Sequence, residues 1–297
     1  MKLLSFETPK RGASYGLLAH DGVFDLGARL PHPDLRALIA AHACPKDLQQ
    51  RIGKLLPRSE QPAADYRANE IRYLPPIPSP EKIICVGINY PQRAGEYGDG
   101  NDAPAYPSIF MRAPGSLVGH GAALHRPPES AQLDYEGEIA AVIGLPGRRL
   151  GENGALRHVF GLTIMNEGSI RDWLRHGKFN VTPGKNFEHS GGIGPHLVSA
   201  DEADPAAARR LCTRVNGELR QDASSADMLF PLPKLLAYIS TFTALSPGDI
   251  IATGTPPGAG ARMTPPSYLA PGDRVEVEVD GLGVLDNRVV DEPGDAR

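Results

Sequence analysis

Leu133-Asp134-Tyr135-Glu136-Gly137-Glu138-Ile139-Ala140-Ala141-Val142-Ile143-Gly144 is the stretch on which the reading of the chain turns. From Glu138 onward it reads as a buried strand, short and apolar up to a glycine. On a strand, residues two apart share a face and lie roughly 6.6–6.8 Å apart. Glu136 and Glu138 therefore point the same way, followed on that face by Ala140 and Val142. Two carboxylates at the mouth of an apolar strand repel each other, by up to ~4 kcal/mol at 4 Å and an effective dielectric near 20. A divalent cation removes that penalty, and oxygen-only donors point to Mg²⁺, Mn²⁺ or Ca²⁺ rather than zinc. The same spacing also describes a solvated strand face, and Glu276 and Glu278 repeat it later in the chain. Spacing alone leaves both readings open.

The surroundings are consistent with a β-rich protein. Gly 33 and Pro 29 make up roughly a fifth of the 297 residues, well above average usage. Hydrophobic residues at 41% and charged residues at 22% exclude disorder, and no G-X-Y period exists. Such a chain has many short, punctuated elements rather than long helices. Lys82 to Gly87, Leu156 to Met165 and Asp249 to Gly254 read as further buried strands. Arg274 to Asp280 alternates valine with acid and turns at Asp280-Gly281 into a hairpin with Val284 to Val290. Helices are expected over Leu35 to Leu56, after Ser169, near Ala203 to Leu211, and from Pro233 to Phe242. Tyr15 to Leu26 reads as a hairpin around Asp21-Gly22. The proline-rich run Leu74 to Pro80 separates a small α+β module, residues 1–75, from a larger α+β domain, residues 80–292, with a tail at 293–297.

Several function classes fall away. A net charge of −4 with no basic tract argues against nucleic acid, and no apolar run suits a membrane span or signal peptide. Cys44, Cys85 and Cys212 are odd in number and far apart, which fits neither a disulfide framework nor a CxxC zinc site and suggests a reducing, cytoplasmic home. Thr253-Gly254-Thr255-Pro256-Pro257-Gly258 is neither a Walker A loop nor a GxGxxG fingerprint, so nucleotide binding is not expected. Two polar segments remain as candidates. Asn166-Glu167-Gly168-Ser169-Ile170-Arg171-Asp172 places a carboxylate at a strand end, with Ser169 and Asp172 spaced as a capping box, although Glu167 and Arg171 could simply pair with each other. Lys185 lies among glycines, where it offers a fixed positive charge to an oxyanion, although most loop lysines are merely solvated.

In this order the segments resemble the fumarylacetoacetate hydrolase family. The matching residues are Gly87-Ile88-Asn89-Tyr90, Asp134-Tyr135-Glu136-Gly137-Glu138, Ser169-Ile170-Arg171-Asp172, Lys185, Val215-Asn216-Gly217-Glu218, Thr253-Gly254-Thr255-Pro256 and Pro271-Gly272-Asp273. The resemblance implies a mixed β-roll, usually a homodimer, with Mg²⁺ or Mn²⁺ held by three carboxylates. Glu136 and Glu138 match two of them. Glu167 stands where the family's Asn-Asp-Val-Ser-Ala-Arg-Asp pattern has aspartate, and Gly168 is the expected source of freedom for the extra methylene. Lys185 falls on the active-site lysine and Arg171 on the arginine that supports the ligands, while Tyr90 and Thr255 are assigned to substrate.

The family's hydrolases carry Gly-x-Asn-Tyr-x-x-His-x-x-Glu, and here Arg93 replaces the histidine while Glu96 is kept. Arginine is no general base at neutral pH, but its planar fork suits a second substrate carboxylate. The resemblance implies a small-molecule 2-oxo or 2,4-dioxo acid as substrate, in a setting such as aromatic-ring degradation. Hydrolysis of a C–C bond is the first expectation, with Glu96 setting a water and Lys185 stabilising the enolate. Isomerisation, tautomerisation or decarboxylation is the alternative, and a non-catalytic metal-stabilised binding protein the second.

Overall fold

The strand Gly137–Ile143 is buried along its whole length and faces a different core on each side. Ile139, Ala141 and Ile143 pack toward one cluster, Ala140 and Val142 toward another. A strand covered on both faces reads as a continuous apolar run, which is why its sequence does not alternate. The computed structural model describes residues 1–9, 12–19, 22–55, 63–91, 104–177 and 180–294.

Among the described residues the strand lies inside a twelve-stranded mixed sheet, between the antiparallel neighbours Val159–Asn166 and Ile250–Ala252. Ile250–Ala252 pairs in parallel with Ile83–Val86. A second sheet of five strands, including Arg210–Val215, Arg274–Val279 and Gly283–Asp291, packs over one face. Val275, Val277 and Val279 are its inward row, each 1% exposed, while Glu278 pairs with Arg214 at the surface. The helix Leu232–Phe242 closes this core with Leu235, Leu236 and Ile239. On the opposite face, Leu35, Leu38, Ile39, Leu48 and Ile52 of two short helices cover the sheet. The result is a β-rich α+β fold of stacked layers, each inward aliphatic side chain contributing about 1.5–3 kcal/mol by burial.

The N-terminal strand Lys2–Thr8 joins the same large sheet, pairing antiparallel with Gly191–Ser199 through Lys2 opposite Val198. Residues 74–80 carry neither strand nor helix, as proline demands. The hairpin of Gly12–Ala19 and Gly22–Asp25 forms as expected, although residues 20–21 at its turn lie outside the described residues.

Two expectations need correction, whereas the helical stretch expected over Leu35 to Leu56 is present as two helices, Leu35–Ala41 and Pro45–Leu55. Proline at the first position of the second supplies a ready helical φ but cannot continue the helix before it. Ala203 to Leu211 is not helical. Pro205 breaks it, the Asp204 carboxylate accepts the Ala206 N–H at 2.9 Å as an Asx turn, and the strand Arg210–Val215 begins within it. Ser169 does not cap a helix but pairs in the strand Ser169–Ile170 with Leu133–Asp134, and the turn that follows, Asp172–Arg175, is a short 3₁₀ helix.

One buried group makes the fold sensitive to acid. His196, on Gly191–Ser199, is buried at 6% exposure. Burial, and secondarily the Lys2 charge, lowers its pKa to about 4. The unfolded chain takes up a proton near pH 6.5 and the folded one does not until about pH 4, so stability is complete above pH 6.5 and falls as pH drops through that window, by up to about 3 kcal/mol. Urea unfolding of the wild type and His196→Gln at pH 7, 5 and 4 checks this. The wild type should lose more stability on acidification than the variant, and parallel profiles would count against it.

Candidate metal centre and active site

The ladder between Gly137–Ile143 and Val159–Asn166 ends with Gly137 opposite Asn166. Pairing continues one step further, the Glu167 N–H donating to the Glu136 carbonyl at 2.7 Å and the Glu136 N–H to Asn166 Oδ1 at 2.9 Å. Glu167 thus sits across the ladder from Glu136, and Glu138 lies two residues along the same face. Local strand geometry alone gathers the three carboxylates, and one oxygen from each falls within 4.8 Å of the others. All three are buried, at 3%, 1% and 1% exposure for Glu136, Glu138 and Glu167.

Among the described residues three cations surround them. Lys185 ends the short helix Thr182–Lys185, and its Nζ donates to Glu136 Oε2 at 2.5 Å and to Glu167 Oε2. Arg171 donates through Nη2 to Glu136 Oε1 at 2.8 Å and through Nε to Asp134 Oδ2 at 2.7 Å. Arg112 donates through Nη1 to Glu167 Oε1 at 2.6 Å. Glu138 has no cationic partner among the described residues; its Oε2 accepts the Gly254 N–H at 2.8 Å. Burial, reinforced by the Glu167 and Glu136 charges, pushes the Glu138 carboxyl well above the usual range. Burial also raises Glu167, against the opposing pull of Lys185 and Arg112. Burial alone would depress the Lys185 ammonium, but the facing glutamates hold it above the ordinary lysine value. Among the described residues four buried carboxylates, Asp134 included, face three cations, and the triad of Glu136, Glu138 and Glu167 is gathered closely enough to hold a metal ion. The donor set fits Mg²⁺ or Mn²⁺: oxygen only, buried and pre-gathered.

The glycines serve close packing. A Cβ at Gly168 would lie 1.9 Å from the Ser190 carbonyl oxygen, so this glycine permits a backbone contact and is not a source of slack for Glu167. A Cβ at Gly184 would meet the Ile170 carbonyl oxygen at 2.7 Å, so the glycine beside Lys185 lets its helix press onto the strand that follows Glu167.

The other expected site residues divide. Arg93 and Glu96 lie outside the described residues. Thr255 is 2% exposed and its hydroxyl is engaged, donating to the Gly137 carbonyl at 3.0 Å and accepting from Gln221 Nε2 at 2.8 Å. It pins the 253–258 loop to the ligand strand rather than offering a donor to the cleft. Tyr90 is 1% exposed, and its hydroxyl has no hydrogen-bond partner among the described residues; burial first and Glu138 second raise its pKa. Asn89 is a brace, its amide bonding Phe230 and the Thr253 carbonyl. Glu167 and Arg171, weighed as a pair across a helical turn, instead take Arg112 and Asp134 with Glu136 as their respective partners. A cleft of about 520 Å³ opens above the cluster, with Glu136, Arg171 and Lys185 among its lining and Ile88, Phe110 and Leu174 on its apolar side.

Two residues escaped sequence reasoning. Asp134, which carries no signal of its own beyond the motif around it, is fully buried and also accepts the N–H groups of Gly260 and Ala261, both at 2.9 Å. Arg112 had no spacing signal; the one clue was a charged residue closing the apolar run Ile109-Phe110-Met111.

A β-rich scaffold thus gathers three buried carboxylates that could hold a metal ion, with Glu136 and Lys185 reaching the lining of a cleft. Residues 82–290 match the family model for the fumarylacetoacetate (FAA) hydrolase C-terminal domain. The chain belongs to the fumarylacetoacetate hydrolase family. It is 41% identical over 236 residues to oxaloacetate tautomerase YisK of Bacillus subtilis (strain 168), covering 78% of each chain. It is 36% identical over 298 residues to the mitochondrial oxaloacetate tautomerase FAHD2B of Bos taurus, covering 98% of this chain and 92% of that one. Among solved structures, the fumarylacetoacetate hydrolase of Exiguobacterium antarcticum is 33% identical with a TM-score of 0.81, covering 98% of this chain and 100% of that one. The 5-carboxymethyl-2-hydroxymuconate delta-isomerase of Mycobacterium smegmatis is 26% identical with a TM-score of 0.74, at the same coverage. Among the described residues no helix is long and apolar enough to cross a membrane.

Proposed function

We propose that the protein is a divalent-cation-dependent tautomerase that interconverts the keto and enol forms of a small 2-oxo dicarboxylic acid of the oxaloacetate class. The observation that carries this reading is the buried Lys185 ammonium, held between Glu136 Oε2 and Glu167 Oε2 among the groups lining the cleft. Tautomerisation moves one proton between a carbon and an enol oxygen, and negative charge gathers on oxygen on the way. A fixed ammonium in a site removed from water stabilises that charge without reorganising. When bound, Mg²⁺ or Mn²⁺ supplies Lewis-acid polarisation of the 2-oxo carboxylate. Glu136, Glu138 and Glu167 would hold it, with Arg171 and Arg112 orienting two of them.

This replaces C–C hydrolysis as the first expectation. The relatives named oxaloacetate tautomerase support it at 41% and 36% identity. So does Arg93 in the family's histidine place, because tautomerisation needs no activated water. Hydrolysis of a 2,4-dioxo acid is the second reading, favoured by the 33% identical hydrolase structure. The proposed assembly is a homodimer, to be checked by sedimentation.

Stopped-flow decay of the enol absorbance of oxaloacetate, with added Mg²⁺ or Mn²⁺ and with chelator, tests the reading beside an acylpyruvate cleavage assay. Cation-dependent acceleration of enol decay without C–C cleavage is expected. Faster acylpyruvate cleavage would install the hydrolytic reading instead, and turnover indifferent to chelator would remove the cation from it.

A further inference from the structure

A second cavity, of about 610 Å³, meets the catalytic cleft at Arg171, Leu174 and Val181, which line both. Beyond that shared wall its chemistry differs. Among the described residues its lining includes neither Lys185 nor any of the three glutamates. Arg175 and Arg262 take their place, with Gln132 and Tyr268 as neutral polar groups. We propose that this cavity is a second binding site, separate from the catalytic one, for a small oxyanion carrying more than one negative oxygen, a dicarboxylate or a phosphate. Keto–enol interconversion in the cleft does not call for it, so the inference goes beyond that reading.

The charges carry the argument. Arg171 is already matched, with Nε on Asp134 Oδ2 at 2.7 Å and Nη2 on Glu136 Oε1 at 2.8 Å. Arg175 is exposed and has no ion-pair partner among the described residues, and Arg262 is half-buried in the same lining. The acid of the lining, Asp172, is engaged through Oδ1, which accepts the Ser130 hydroxyl at 2.6 Å and the Trp173 N–H at 3.1 Å. Two guanidinium groups against one engaged carboxylate leave the cavity positive, in a chain whose net charge is −4. Guanidinium forks match the paired oxygens of carboxylate and phosphate. A concave site of this size suits a small molecule rather than a polymer or a membrane surface. Its walls are also held before any ligand arrives. Buried Asp134 accepts the Gly260 and Ala261 N–H groups, both at 2.9 Å, as well as Arg171, and the Gln132 carbonyl accepts the Arg171 N–H at 3.0 Å. One carboxylate thus fixes both Arg171 and the turn Gly260–Arg262. A preformed site loses less affinity to ordering.

Calorimetric titration of the full chain with succinate and, separately, with inorganic phosphate tests this, with chelator present so that no divalent cation draws the anion into the cleft. Saturable binding of one anion per chain is expected, and the tighter of the two identifies the source as a dicarboxylate or a phosphate. Arg175→Gln/Arg262→Gln should weaken binding at least about tenfold, the usual cost of lost hydrogen bonds to a charged group, while Mg²⁺-supported enol decay stays within about twofold. Arg262→Lys keeps the charge without the planar fork and should weaken binding about threefold. Arg126→Gln/Arg210→Gln removes the same charge from the five-stranded sheet and should leave binding unchanged. Binding that survives the first double substitution would place the anion in the cleft, and an equal loss in the sheet control would reduce it to the general field of the protein. Either result, or no binding of either anion, would overturn the inference and leave the tautomerase reading standing. Absence of enol turnover with anion binding intact would remove that reading and leave the second site.

Discussion

Lys185→Met should lose turnover while binding the divalent cation more tightly. The two losses that usually travel together in a damaged metal site are expected to part, because Lys185 Nζ occupies the inner oxygens of both Glu136 and Glu167. Removing it frees those oxygens and deletes the nearest competing positive charge. Turnover should fall about 10²–10³-fold, the usual cost of one oriented donor to a developing oxyanion. Without cation, the variant leaves buried carboxylates uncompensated and should lose about 3–5 kcal/mol of stability, which saturating Mg²⁺ restores. Thermal unfolding with Mg²⁺ and with chelator, together with calorimetric titration, measures both effects. Weaker cation binding in the variant would mean that the lysine helps to build the cation site rather than contesting it.

Glu136→Gln should have the larger effect on binding. Glutamine keeps the shape and loses the charge, and Glu136 is the carboxylate shared by Arg171, Lys185 and the Ser169 hydroxyl. Losing an anionic ligand from a three-carboxylate site should lower cation affinity by more than ~100-fold, beyond the usual cost of disturbing a supporting residue. Enol decay should fall with it and recover partly at high cation concentration. Glu276→Gln is the matched control. It stands in the same Glu-x-Glu spacing, but on the outer face of the five-stranded sheet, where it pairs with Arg274 and contributes little. Equal effects of the two substitutions would dissolve the distinction between site and surface on which the reading depends.

That distinction was not legible in spacing. Glu136-Gly137-Glu138 and Glu276-Val277-Glu278 obey the same two-residue period. What separates them is the neighbour across the ladder: Glu167 for the first pair, the half-buried Arg214 and Asp286 for the second. Local signals did well where the backbone decides. Asp280-Gly281 lies in the turn between Arg274–Val279 and Gly283–Asp291, with Gly281 at positive φ. The alternating valines of Arg274–Val279 face inward as the period requires. Local signals failed where a partner distant in sequence decided. The Ser169–Asp172 capping pattern was captured by a strand pairing with Leu133–Asp134, and the hydroxyl of Thr255 was consumed by Gly137 and Gln221.

The sequence by itself determined the β-rich class and the buried strand that carries Glu138, because strand periodicity and turn chemistry act over a few residues, while Glu167 and Lys185 were fixed as site residues only through the family resemblance. Only the tertiary structure decided that Glu167 is gripped by Arg112, 55 residues away in the chain, and that Glu138 is the carboxylate with no cationic partner among the described residues. Charge balance in a buried site is a property of everything packed around it, and that inventory exists only once the strands have met.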